Sequence, residues 1–172
     1  NQSKGYALFT GFTFKWYTSL LHNESILHAL WVSLYLALFS AVIATVLGTA
    51  ASLGIASMGR KSRLLVTNIT YITTVNPEII TGVSLMLLYA MANIQLGYLT
   101  LLLSHIAFCV PYVVLSVMPK LRQIDPNLAE AAQDLGATPM QGFFKVILPD
   151  IMPGVFSGFV MALTMSIDDF VV

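Results

Sequence analysis

EAAQDLGATPMQGFFKVILP, residues 130–149, interrupts the C-terminal half of an otherwise apolar chain. Just ahead of it, Asp125 and Pro126 read as an N-cap and a first helical residue. Leu128, Ala131, Ala132 and Leu135 recur on one helical face, while Glu130, Gln133 and Asp134 fall elsewhere. Gly136 suits the left-handed position that ends such a helix. Thr138 and Gln141 then have capping-box spacing, with Pro139 in the first turn. A second short helix is expected through Phe143, Phe144 and Ile147, closed by Pro149. Residues 119–150 thus read as a pair of short helices joined by a tight bend, neither long enough to cross a bilayer. A knob with small alanines on one side fits a partner's groove. Packing against the chain's own membrane helices is the other reading. A DNA-binding helix-turn-helix is excluded, because acids outnumber bases within residues 125–145.

On either side the sequence belongs to a membrane. Of 172 residues, 57% are hydrophobic and 9% charged, against about 25% charged in soluble domains. Four apolar stretches predict spans at about 26–58, 69–92, 98–118 and 151–172. The first carries only His28 near its start, and the second contains Pro77 and Glu78. The third is expected to be broken by Pro111, and the fourth is apolar except for Asp168 and Asp169. The fold class is therefore all-α integral membrane, with about four spans in one domain. The chain opens in an aromatic segment, residues 6–17, and stops in apolar sequence at Val172. A further span on each side is expected in the full gene product.

Charge placement orients the spans. Arg60, Lys61 and Arg63 follow the first, while Lys120, Arg122 and Lys145 lie between the third and fourth. Alternate crossings put all of these on one side, which the positive-inside rule makes the cytoplasm. Residues 1–25 and 93–97 are then external.

Several chemistries find no support. The run from Gly54 to Gly59 is followed by Arg60 and then Lys61, whereas a phosphate-binding loop needs lysine directly after its second glycine. Energy from ATP would have to come through a partner. A lone Cys109 forms no disulfide within the chain, and His22, His28 and His105 are too scattered for a metal site. The histidines read as interfacial or packing residues. No catalytic constellation and no cofactor site is expected.

Intramembrane acids remain to be explained. A carboxylate inside a membrane is costly and faces a cavity or a partner. Glu78 follows Pro77, which opens a helix locally. Asp168 and Asp169 diverge by about 100° on a helix, so both could border one wide path but not face one point. No lysine or arginine lies within a span to neutralise them, which suits a cationic solute. Trp16 and Tyr17 could add cation–π contacts. The plainer readings are interfacial anchoring for Trp16 and Tyr17, a surface position or partner-subunit pairing for Glu78, and hydration near the external face for the two aspartates.

Glu130-Ala131-Ala132, Gly136 after three more residues, and Val146-Ile147-Leu148-Pro149 after nine more resemble the EAA loop of binding-protein-dependent ABC importer permeases. Val146 stands where isoleucine is usual, a difference of one methylene. The resemblance implies a type I importer permease core, whose loop docks on an ATPase subunit through Glu130, Ala131, Ala132, Gly136, Leu148 and Pro149. Phe14-Lys15-Trp16-Tyr17, Asn76-Pro77-Glu78-Ile79-Ile80-Thr81-Gly82 and Ser166-Ile167-Asp168-Asp169-Phe170 resemble the spermidine/putrescine class of these permeases. That class implies a polyamine path including Trp16, Tyr17, Glu78, Ser166, Asp168 and Asp169. It also implies a second, non-identical permease, an extracytoplasmic binding protein and the cell membrane of a prokaryote. Alternatives are a secondary transporter or channel working without an ATPase, and an importer for a different small solute.

Overall fold

The computed structural model describes residues 12–125 and 127–168. The chain divides into two compact units, residues 1–35 and 36–172. In the first, α1, Lys15–Leu21, is a short helix bearing exposed Trp16 and Tyr17. His22 Nδ1 lies 2.7 Å from the carbonyl of Thr18 in its last turn. Asn23 then accepts the N–H groups of Ser25 and Ile26 at 3.2 and 3.3 Å, capping α2, Glu24–Ser57, which continues into the second unit.

Small residues set the packing of the second unit. Ala41 and Ala44 of α2 are fully buried in one cluster with residues of α5, Tyr98–Gln123, and α8, Leu148–Asp168. From α5 come Cys109, Val113 and Val117, and from α8 Ile151 and Ala162. Gly48 decides how closely α2 approaches α5: a Cβ there would stand 2.6 Å from the Cβ of Val113. Gly158 of α8 meets the same valine from the other side, where a Cβ would lie 3.1 Å from its Cγ1. Between lipid-soluble helices association rests on such close van der Waals contact rather than on expulsion of water.

Two expectations about prolines are corrected. Pro111 does not break its span, because α5 runs unbroken through both Pro111 and Pro119. Fully buried Cys109 and Val113 flank Pro111 and hold its turn from both sides, offsetting the lost backbone bond. Nor does Pro149 close a second short helix. The helix α7, Pro139–Gly142, passes through a π-helical turn, Phe143–Ile147, straight into α8. A proline ring collides with the carbonyl four residues back, here that of Lys145. The wider turn just before it, in which Leu148 N–H bonds to the carbonyl of Phe143, gives that ring room.

The stretch read as one span at 69–92 is instead two helices. α3, Arg60–Val75, and α4, Glu78–Met91, meet at 102°. Pro77 has no N–H and disfavours helix at the residue before it, and both Asn76 and Pro77 are extended, with ψ of 137° and 131°. Among the described residues, three helical runs, Glu24–Ser57, Tyr98–Gln123 and Pro139–Asp168, are long and apolar enough to cross a membrane, or four crossings if the bent pair counts as one.

Candidate functional site

The knob between α5 and α8 is built from local signals. α6, Leu128–Asp134, starts after Asn127, whose N–H donates to Asp125 Oδ1 at 2.9 Å. The N-cap expected at Asp125 falls instead on Asn127, which Asp125 holds by accepting its N–H one turn before the helix, while Pro126 lies outside the described residues. At the other end Gly136 takes φ +86°. The Ala137 N–H reaches the carbonyl of Ala132 at 3.0 Å, and the Gly136 N–H reaches that of Gln133 at 2.8 Å. This is the paired-bond ending that glycine favours. Thr138 and Gln141 then bond reciprocally: Thr138 N–H to Gln141 Oε1 at 3.0 Å, Gln141 N–H to Thr138 Oγ1 at 3.3 Å.

The resulting knob is capped on both sides of its bend and exposes large apolar side chains beside Glu130, Gln133 and Asp134. Leu135 is 90% exposed, and Met140 and Phe144 also face outward. A cavity of about 330 Å³ opens between α6 and α7, lined by Ala131, Ala132, Leu135 and Val146 among others. Glu130, Ala131 and Gly136 are exposed and Ala132 is half-buried. Leu148 packs toward the buried cluster of α5 and α8, while Pro149 is exposed beside Lys145 and Asp150.

The residues expected on a solute path fall in different elements. Trp16 and Tyr17 lie in the first unit and the others in the second. Glu78 is exposed in the first turn of α4, the favourable end of the helix dipole for a carboxylate. A cavity of about 510 Å³ lies between α4 and α5, bordered by Gly82, Met86, Tyr89, Tyr98 and Ser104. Glu78 does not line it but stands one turn from Gly82 on the same helix face. Tyr89 Oη and Ser104 Oγ are 3.2 Å apart at its wall.

Asp168 is exposed at the end of α8, and Asp169 lies outside the described residues. Ser166, in contrast, is buried at 4% exposure. Two residues apart on a helix, Ser166 and Asp168 point about 200° away from each other. Ser166 Oγ lies 2.8 Å from His105 Nδ1 and 2.9 Å from Ser40 Oγ, so it joins α8 to α5 and α2. In the sequence His105 reads as an interfacial or packing residue, and Ser40 carries no distinguishing signal. The available signal is a polar residue inside each apolar span, but other serines and threonines share those spans, so only the packed helices single out these three.

Residues 44–172 match the family of the binding-protein-dependent transport system inner membrane component. The chain belongs to this family. As a member of a binding-protein-dependent transport family with several apolar helices, it is a multi-pass membrane protein. It is similar to the spermidine/putrescine transport system permease protein PotC of Escherichia coli (strain K12), 40% identical over 94% of this chain and 61% of PotC. The PotC protein of Haemophilus influenzae is 35% identical over 94% of the chain and 63% of its own length. The putrescine transport system permease protein PotI of Escherichia coli (strain K12) is 38% identical over 100% of the chain and 64% of PotI. The chain therefore spans less than two thirds of these relatives. The family match takes in the knob, Glu78 and the three-helix cluster from residue 44 onward, while Trp16 and Tyr17 precede it.

Proposed function

We propose that this chain is the membrane-spanning permease subunit of an ATP-driven importer, moving a small cationic solute, spermidine or putrescine, by alternating access. The observation that carries this reading is the unbroken helical run Pro139–Asp168, which joins the capped, apolar knob to a membrane span. An ATPase subunit docked on the knob on the cytoplasmic side would push on a rod, not on a flexible loop. The names of the PotC and PotI relatives support a polyamine as the solute.

The acids fit such a cargo. At 1.5 Å per residue α4 is about 21 Å long, short of the roughly 30 Å hydrocarbon core. With residues 92–97 at the external surface of a prokaryotic cell membrane, the break at Pro77 falls inside the bilayer and brings Glu78 with it. A broken helix is tolerated there where it borders a water-filled path. Asp168 contributes a second charge from the exposed side of α8. A second, non-identical permease would close the path, lipid would cover the remaining apolar faces, and an external binding protein would deliver the solute.

The test is purification of the full-length protein from native membranes, followed by uptake measurements on variants. An ATPase is expected to co-purify, and Glu130→Lys is expected to abolish ATP-driven uptake while membrane insertion persists. Uptake that continues without any ATPase would overturn the reading in favour of a secondary transporter or channel.

A further inference from the structure

The hydrogen bonds among Ser40, Ser166 and His105 all run in one direction. Ser40 Oγ lies 3.1 Å from the carbonyl oxygen of Ala37, which can only accept, so the Ser40 proton goes there. A hydroxyl has one proton, so Ser40 must accept from Ser166 across their 2.9 Å contact. The Ser166 proton is then used, and its oxygen must accept from His105 Nδ1 at 2.8 Å. All three bonds are satisfied only if His105 carries a proton on Nδ1. The relay runs His105 Nδ1–H to Ser166, Ser166 O–H to Ser40, Ser40 O–H to the Ala37 carbonyl.

Together with the packing of Gly158 and Ala162 on α5, this relay sets the rotation of the last turns of α8 about its own axis. Ser40, His105 and Ser166 are exposed by 0%, 3% and 4%, so an unmade bond among them would leave polar atoms stranded. Turning Ser166 out of the relay would turn Asp168, two residues on, off its outward bearing by the same angle. We infer that His105 is a positioning residue for transport, donating from Nδ1 to Ser166 so that Asp168 is held facing away from the three-helix contact and toward the solute. The inference rests on the reading of Asp168 as a path residue.

The experiment uses the complete transporter in proteoliposomes and reads the ratio of putrescine moved to ATP hydrolysed. A fault in folding or docking lowers both together and leaves the ratio alone. A misdirected Asp168 lowers uptake per ATP. Asparagine places an amide N–H near the position of Nδ1, whereas glutamine places one near Nε2. His105→Gln and Ser166→Ala are each expected to lower the ratio about fivefold, the worth of one net hydrogen bond, with ATP hydrolysis within about twofold of wild type. His105→Asn is expected to keep the wild-type ratio, and Asp168→Asn to lower it. An unchanged ratio in His105→Gln and Ser166→Ala overturns the inference, as does a His105→Asn variant as impaired as His105→Gln. If Asp168→Asn alone lowers the ratio, only the inference falls. If Asp168→Asn leaves it unchanged, the path reading falls too.

Discussion

At the scale of single residues, the fold turns on where a side chain is missing. Gly48 lets α2 approach α5 until the two backbones are separated by little more than Val113. Gly48→Ala would put a methyl 2.6 Å from the Val113 Cβ, well inside van der Waals contact. The expected cost is about 1–3 kcal/mol, read as a lower unfolding temperature in detergent. Val113→Ala in the same chain is expected to restore part of the loss, because it removes the Cγ1 that lies 2.7 Å from the added methyl. Gly136 is different in kind. Its φ of +86° is a backbone demand, and nothing within 4 Å would meet a Cβ there. Gly136→Ala is expected to cost about 1–2 kcal/mol through strain alone, and to loosen the bend between α6 and α7. Faster amide exchange at Ala137 and Thr138 would report it.

At the scale of elements, what could be read from sequence was what is local. Gly136, Thr138, Pro139 and Gln141 act over three or four residues, and each does in the structure what its type and spacing imply. Proline effects were harder, because their outcome depends on neighbours. Pro111 is absorbed by packing on both sides and Pro149 by a wider turn, whereas Pro77 bends the chain. Hydropathy along 69–92 carries no information about angle, so two helices at 102° looked like one span. Least legible was the contact of Ser166 with Ser40, 126 residues apart, which exists only once three helices have packed. The bend itself is testable. Spin labels on exposed Leu65 and Leu87 should stand about 20 Å apart across a right-angled break, and about 33 Å apart along a straight helix. Pro77→Ala restores an N–H and frees Asn76 to become helical, so the distance distribution is expected to lengthen and uptake to fall.

At the scale of the whole molecule, the second unit has a stiff part and a looser one. The length of α8 lies along α5, with α2 against both through Ala41, Ala44 and Gly48. α4 touches α5 more sparingly, with a cavity between them. If transport moves α5 and α8 as one body, tying them together should do no harm. Val113→Cys with Gly158→Cys, in a Cys109→Ala background, joins them at a close approach, and removes the Cγ1 that a Cβ at 158 would meet at 3.1 Å while leaving the Val113 Cα at 3.2 Å. Oxidation is expected to form the bridge and leave uptake within about twofold of the reduced protein. Lost uptake on oxidation, recovered by reductant, would show that the two helices slide during transport.

The continuous run from the knob to Asp168 also has a mechanical meaning. Its 30 residues make a beam about 45 Å long, half as long again as the hydrocarbon it crosses. A beam held near its middle and clamped along its neighbour cannot move one end alone. A tilt of about 10° would carry its two ends some 4 Å in opposite directions. Opening on one side of the membrane and closing on the other would then be a single displacement seen from two places, and a seesaw of this kind needs no separate device to keep both gates from opening at once.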